Sequence, residues 1–426
     1  MDTIYACSTG APPAAIAIVR ISGSEAVVAA RSLACDLPPP REARVRTLRD
    51  PASGDHLDRA LVLVFPGPST ATGEDLIELH LHGGRAVVAA VEAALAGRPG
   101  LRRADPGEFT RRALANGRID LAEAEGLGDL LAAETEMQRR SALAMADGAL
   151  SRRIAGWRGE LLGLAAQIEG SLDFSDEADV PAALLDSIRS RAEQVAAEMR
   201  AALSAPTVER LRDGVRVVLA GPPNSGKSTL LNALARREAA IVSPIAGTTR
   251  DRIEVSVARV GIPFVLTDTA GLRADTNDAI ERMGIARADE AIRGADLVLW
   301  LGDESPPAPS MLWLHARADL PGRAETPPGP VLAVSAERDG SVEALWDLVV
   351  GRAGALIPKP GELAFNARQE EHCRAAVTAL ADIDSRDELV VADALRRANA
   401  ALAQITGEVG VEAMLDTLFG KFCIGK

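Results

Sequence analysis

The stretch Gly221-Pro222-Pro223-Asn224-Ser225-Gly226-Lys227-Ser228 fits the pattern Gly-x-x-x-x-Gly-Lys-Ser, and few other features restrict a chain's fold so tightly. Residues 215–220 before it are apolar and β-branched and predict a buried strand. Residues 229–234 after it predict the first turns of a helix. Strand, glycine loop and helix in that order make a phosphate-binding loop. The glycines let successive backbone N–H groups close around an anion, and the helix N-terminus adds partial positive charge. Asn224, Ser225, Gly226, Lys227, Ser228 and Thr229 are the candidate phosphate contacts. Lys227 brings a full charge to the transferred phosphate, and Ser228 offers a hydroxyl to a phosphate-bound Mg²⁺.

Downstream, residues 241–251 are polar and contain glycine, and Thr249 is a second candidate Mg²⁺ contact of the kind a nucleotide-sensing switch supplies. A strand over 264–267 delivers Asp268-Thr269-Ala270-Gly271. Asp268 can reach the Mg²⁺ shell, and the Gly271 N–H can sense a γ-phosphate. Further parallel strands are predicted at 297–301 and 311–314, followed by an apolar run at 331–336. In guanine-nucleotide proteins the strand corresponding to 311–314 leads to Asn-Lys-x-Asp, whose aspartate accepts both guanine N–H donors. The stretch here is Ala316-Arg317-Ala318-Asp319, so Asp319 keeps that role while Ala316 loses a side-chain amide. Arg317 can lay its aliphatic stem over the base, and Ser335 and Ala336 can present backbone to it. GTP is therefore favoured over ATP.

With 426 residues, the chain has room for two to four domains. Aromatics are only 3% of it, so its cores must be built from Ala, Leu, Val and Ile. A net charge of −13 argues against a broadly basic surface while leaving room for a local patch that meets nucleic acid. The four cysteines (Cys7, Cys35, Cys373 and Cys423) are scattered, without metal-ligand spacing or the density of a disulfide scaffold. There is no leader-like segment and no run of about eighteen apolar residues, which predicts a cytoplasmic chain outside the membrane.

Before the loop, strands are predicted at 15–21, 58–65 and 76–82, with helices at 25–34 and 86–96, giving a small α+β domain over 1–118. His80 and His82 share a strand face, but no third ligand is near, and they read as structural. Arg20 and Glu78 sit inside apolar strands. They are either ligand contacts or exposed at a sheet edge. From 119 to 212 an Ala/Leu pattern at helical spacing takes over, broken by an acidic stretch at 173–177, and it returns near the C-terminus. The prediction is one helical domain, 119–212 with 356–426, split by an inserted nucleotide domain over 213–355.

Taken together, these motifs resemble the MnmE (TrmE) family of tRNA-modification GTPases over essentially the whole chain. The resemblance rests on Asp2-Thr3-Ile4, Arg20-Ile21-Ser22-Gly23, Phe65-Pro66-Gly67-Pro68, Thr72-Gly73-Glu74-Asp75 and His82-Gly83-Gly84. It extends through Pro106-Gly107-Glu108-Phe109, Ile119-Asp120-Leu121-Ala122, Leu172-Asp173-Phe174, Gly247-Thr248-Thr249-Arg250-Asp251 and the closing Phe422-Cys423-Ile424-Gly425-Lys426. It implies an N-terminal α+β domain, a helical domain and an inserted Ras-like P-loop G domain.

The resemblance also implies a homodimer that joins a flavoprotein (MnmG, also called GidA) to modify carbon 5 of the wobble uridine of certain tRNAs. It implies a tetrahydrofolate derivative of the 5-formyl type, contacted by Arg20, Glu78, Arg118 and Lys426. K⁺ is implied in place of an arginine finger, held by Asn224, Ser243, Ile245 and Thr248. Glu281 matches the catalytic glutamate, and Leu272 stands where Ras-like enzymes place a water-orienting glutamine. Cys423 matches a C-terminal cysteine that either serves the modification chemistry or packs as a small hydrophobe. Two other readings remain. One is a GTP-gated ribosome or RNA assembly factor, and the other is a folate-binding scaffold that has lost GTP selectivity at Ala316.

Overall fold

The computed structural model describes residues 2–173, 182–236, 239–240, 254–269, 278–359, 361–385, 387–408, 415, 418–420, 422 and 424–425. The chain divides into two compact units, 1–128 with 403–426, and 129–402.

The first unit is built on a six-stranded sheet of β1 (Thr3–Cys7), β2 (Ile16–Ser22), β3 (Arg44–Arg49), β4 (His56–Phe65), β5 (Leu76–His82) and β6 (Leu101–Arg103). Their spatial order is β3-β4-β5-β2-β1-β6, antiparallel except where β1 meets β6. Alternation along β2 and β5 sends Val19, Ile21, Ile77 and Leu79 inward, where they pack with Leu33 of helix Ala26–Leu33 and Val91 and Leu95 of helix Arg85–Ala96. The other face keeps Arg20, Glu78 and His80 half-exposed.

Beside this sheet, Asp2, Glu74, Arg102, Glu108 and Arg112 interlock. The buried Arg112 guanidinium donates to the Asp2 carboxylate at 2.8 Å and to Glu74 at 3.0 Å, and Arg102 donates to Glu108 at 2.5 Å. At its buried members, Glu108 and Arg112, charge is costly unless matched, which here it is. The C-terminal residues return to this unit. Phe419 and Phe422 pack on Ala124, and Gly425 lies so close to β1 that a Cβ there would stand 2.4 Å from the Cys7 carbonyl oxygen.

In the second unit helix Ala182–Leu203 packs against helices Ala149–Asp173 and Ala367–Ala379, and a seven-stranded sheet is formed by segments between Ala182–Leu203 and Ala367–Ala379 in sequence. Capping boxes at Thr135/Gln138 and Asn366/Gln369 satisfy the first N–H groups of two of its helices. The sheet comprises β7 (Val215–Ala220), β8 (Ala239–Ala240), β9 (Glu254–Arg259), β10 (Ile262–Asp268), β11 (Leu297–Trp300), β12 (Leu312–Ala316) and β13 (Leu332–Val334). Its order is β13-β12-β11-β7-β10-β9-β8, parallel from β13 to β10 and antiparallel at β9 and β8. The parallel strands are apolar on both faces, as a sheet covered by helices requires. Phe264 and Trp346 meet edge to face at the centre, with ring centroids 5.2 Å apart. The expected strands and helices before and after the loop all form, with ends shifted by one or two residues. The strands β1, β3, β6, β8 and β9 were not expected. Of the acidic stretch, 174–177 lie outside the described residues.

Burial works to raise the Glu108 carboxyl, but hydrogen bonds from Arg102, the Asp105 N–H and Arg112 outweigh it and hold the group below the usual carboxylate range. Hydrogen bonding to Arg102 likewise lowers Asp2. A carboxyl lowered on folding contributes stability that is complete above its unfolded value of about 4.3 and is lost as pH falls through the folded value. Glu108→Gln should therefore cost about 2 kcal/mol or more at pH 7 and show a shallower loss below pH 4 than the parent. Urea unfolding at both pH values checks this, and equal stability of the two proteins at pH 7 would contradict it.

Candidate functional site

Parallel pairing of β7 with β10 and β11 sets Leu219 opposite both Asp268 and Leu299, so the loops leaving these strands emerge on one edge of the sheet. The phosphate loop follows β7, and helix Lys227–Arg236 begins at its lysine. Two conformational demands explain its residues. Gly221 (φ +146°) and Gly226 (φ +95°) occupy backbone regions that side chains avoid. A Cβ on Gly221 would stand 3.1 Å from Ser225 Oγ, and one on Gly226 would stand 3.4 Å from Arg317 Cγ. Asn224, at φ +58°, takes the left-handed conformation that asparagine tolerates best among non-glycine residues.

The Lys227 ammonium is buried and donates to the carbonyls of Gly221 (3.1 Å) and Pro222 (2.8 Å), which holds it at the mouth of its own loop. The Ser228 hydroxyl donates to the Asp268 carboxylate, bringing two hard oxygens together at the helix N-terminus and the end of β10. Thr269 is anchored by its hydroxyl to the Leu219 carbonyl at 2.9 Å. Ser225 Oγ is buried without a hydrogen-bond partner among the described residues.

A cavity of about 450 Å³ runs from this loop to the ends of β12 and β13, lined among others by Asn224, Lys227, Ala316, Arg317, Asp319 and Ala336. That volume suits a nucleotide-sized ligand. At its far end the Asp319 carboxyl is held below the usual range, first by the neighbouring Ser335 hydroxyl and then by its own backbone N–H, with Arg338 adding attraction. The buried Ser335 hydroxyl also accepts the Glu337 N–H at 3.1 Å, which fixes the turn after β13.

The structure thus gathers Asn224, Ser225, Gly226, Lys227, Ser228, Thr229, Asp319 and Ala336 around one cavity, with Asp268 bonded to Ser228 and Ser335 beside Asp319. Ser243, Ile245, Thr248, Thr249 and Gly271 lie outside the described residues. Glu281 belongs to helix Asp278–Arg293, and its side chain is outside them too.

In the first unit, Arg20 and Glu78 face each other across β2 and β5, and Arg20 Nε donates to Glu78 Oε1 at 2.9 Å. The other Glu78 oxygen takes His80 at 3.1 Å, while His82 pairs with Asp58 at 2.7 Å. Arg118 instead donates to the Thr70 carbonyl in the loop before β5 at 3.1 Å. Lys426 and Cys423 lie outside the described residues. No cluster of three metal-ligating side chains occurs among the described residues, and none of their helices is long and apolar enough to cross a membrane. Sequence reasoning missed the clamping role of Ser335 and the return of Arg317 onto the phosphate loop, where its Nη1 donates to the Asn224 carbonyl at 2.9 Å.

A parallel sheet that delivers this loop to a helix N-terminus, with an aspartate at the far end of the same cavity, defines a P-loop nucleotide-binding protein. Residues 3–118 match the profile of the GTP-binding protein TrmE N-terminus, and residues 121–423 match that of the MnmE helical domain. A tRNA modification GTPase MnmE of Erythrobacter litoralis is 54% identical over 100% of both chains. Its counterpart in Novosphingobium aromaticivorans is 53% identical over 100% of both. The one from Rhizorhabdus wittichii is 55% identical, covering 100% of this chain and 97% of its own. The chain belongs to the MnmE family of tRNA modification GTPases. Among solved structures, the G domain of the T. maritima FeoB iron transporter matches 33% of this chain and 98% of its own at 25% identity, with a TM-score of 0.24 that adds nothing to the argument.

Removing the Ser335 hydroxyl removes the largest influence lowering Asp319. Ser335→Ala should therefore move the Asp319 carboxyl up toward the ordinary value of about 3.9, as read by carboxyl carbon shifts in an NMR titration. An unmoved titration would contradict the assignment of Ser335 as the clamp.

Proposed function

We propose that this chain is a GTPase acting in tRNA modification, as its relatives are named. The observation that carries the reading is the single cavity with a lysine-bearing phosphate loop at one end and a clamped, ionised Asp319 at the other. Asp319 can accept two N–H donors from one heterocycle edge, which guanine offers and adenine does not, and a missing donor at such a site is heavily penalised. Arg317 lays its stem across the loop at Gly226, and Val334 and Ala336 line the base end.

The residues present fit both nucleotide and Mg²⁺. The buried Ser225 hydroxyl has no partner among the described residues, and Ser228 with Asp268 forms the hard-oxygen pair that Mg²⁺ selects. We assign Ser228 and Thr249 to that ion, which would neutralise charge on the phosphates. Lys227 and Gly271 face the γ-phosphate in this reading, and Glu281 orients the attacking water in place of the residue that Leu272 cannot be.

K⁺ held by Asn224, Ser243, Ile245 and Thr248 would add charge where other GTPases use an arginine, with the G domains of a homodimer pairing across it. Asn224 supports this in one respect, since its left-handed backbone is pinned through its carbonyl by Arg317. The paired Arg20 and Glu78 on the open sheet face offer a donor and an acceptor side by side, which suits a 5-formyl-tetrahydrofolate-type donor, and the family resemblance assigns Arg118 and Lys426 to the same ligand. Cys423 is the candidate thiol for the modification chemistry. The finer reading is that the chain works in the cytoplasm with the flavoprotein MnmG at carbon 5 of the wobble uridine. It assigns residues 1–118 to folate and dimerisation, 119–212 with 356–426 to the helical domain, and 213–355 to the G domain.

GTP turnover in K⁺ and in Na⁺ buffers tests the cation step. The expected result is stimulation by K⁺ of about tenfold or more, lost in Glu281→Ala while nucleotide binding persists. Equal rates in the two salts would contradict cation-assisted pairing.

A further inference from the structure

Ala316 leaves the base-recognition loop without the side-chain amide that the Asn-Lys-x-Asp pattern carries, yet the loop is tightly held. Ala316 ends β12 in a buried position, and Arg317 turns the chain sharply at φ +58°. Arg323 closes the loop. Its Nε donates to the Ala316 carbonyl at 3.0 Å, and its own carbonyl accepts His315 Nε2–H at 2.9 Å. Two further hydrogen bonds, Leu320 N–H to the Arg317 carbonyl (3.1 Å) and Arg323 N–H to the Leu320 carbonyl (3.0 Å), complete the turn.

What fixes Arg323 is Asp303, in the loop after β11. The two form a bidentate pair at 2.5 and 3.2 Å, the geometry that holds a guanidinium in one plane. Asp303 also stands 4.0 Å from Arg317 Nη2, and Arg317 Nη1 donates to the Asn224 carbonyl in the phosphate loop. The carboxylate therefore orients Arg323, which grips the backbone at the base end, and lies near Arg317, which grips the phosphate loop. The Arg323 guanidinium, with Arg317 and His315 beyond it, keeps the Asp303 carboxyl below the usual range. The loop bearing Asp303 is itself tied to β12, because Trp313 Nε1 donates to the Gly302 carbonyl at 2.9 Å.

We propose that Asp303 and Arg323 are positioning residues for base recognition, and that they do the work of the missing asparagine by holding residues 316–319 so that Asp319 meets the edge of the base. This rests on the guanine reading above. Neither residue touches the nucleotide in this account. Each acts through the Ala316 carbonyl and, by way of Arg317, through the phosphate loop.

The test compares GDP with IDP on the full-length protein by competition against a fluorescent guanine nucleotide. IDP lacks only the exocyclic amino group, so the ratio of the two affinities reports how well Asp319 is placed, while loss of fold lowers both together. The parent should prefer GDP. Arg323→Met and Asp303→Asn should each reduce that preference by about tenfold, the scale of a lost hydrogen bond to a charged group, with a smaller loss for IDP, which keeps the N1–H donor. Adding Ala316→Asn to either variant should restore the preference, which a merely structural role for the ion pair does not foresee. An unchanged ratio in both variants would overturn the proposal, as would an equal loss of both nucleotides that Ala316→Asn does not rescue. A parent that binds GDP and IDP alike would overturn the guanine reading itself, and that outcome is told apart by the parent alone.

Discussion

The pairing of β7 with β10 and β11 is the constraint on which the nucleotide site depends. Because the three strands run parallel and in register, the ends carrying Ala220, Asp268 and Trp300 reach the same edge of the sheet. The glycine loop, the Ser228–Asp268 contact and the anchored Thr269 follow from that edge and from little else. Slipping β10 by one residue would turn Asp268 away from Ser228 and carry Leu266 and Phe264, which share its strand face, out of their places in the apolar core.

The two ends of the cavity are joined by backbone carbonyls rather than by side chains meeting directly. Lys227 holds the carbonyls of Gly221 and Pro222, Arg317 holds that of Asn224, and Arg323 holds that of Ala316. Long cationic side chains suit this task because each reaches a carbonyl that secondary structure leaves unpaired. The first unit uses the same chemistry in another arrangement. There Arg102 and Arg112 knit the N-terminal Asp2 to Glu74 and Glu108, and Arg20 meets Glu78 across two strands on the open face.

Much of this was legible in the residues. The phosphate loop and the placing of Asp268 and Asp319 could be read because they belong to short motifs fixed to strand ends. Strand β3 could not, since its sequence Arg-Val-Arg-Thr-Leu-Arg lies at a sheet edge with only Leu48 buried, and so lacks an apolar run. The clamp of Ser335 on Asp319, and the pair of Asp303 with Arg323, join segments that are sixteen and twenty residues apart in sequence. They depend on how the loops after β11, β12 and β13 lie beside one another, which no local pattern records. The pairing of His82 with Asp58 was hidden for the same reason, because it crosses from β5 to β4.

The central claim is that one cavity reads both a phosphate chain and a guanine edge. Equilibrium binding of GTP and ATP to the full-length protein, with Lys227→Ala alongside, addresses it directly. The account predicts GTP binding tighter than ATP by about a hundredfold or more, and loss of that binding in Lys227→Ala. Equal affinity for the two nucleotides, or GTP binding that survives loss of the lysine, would contradict it.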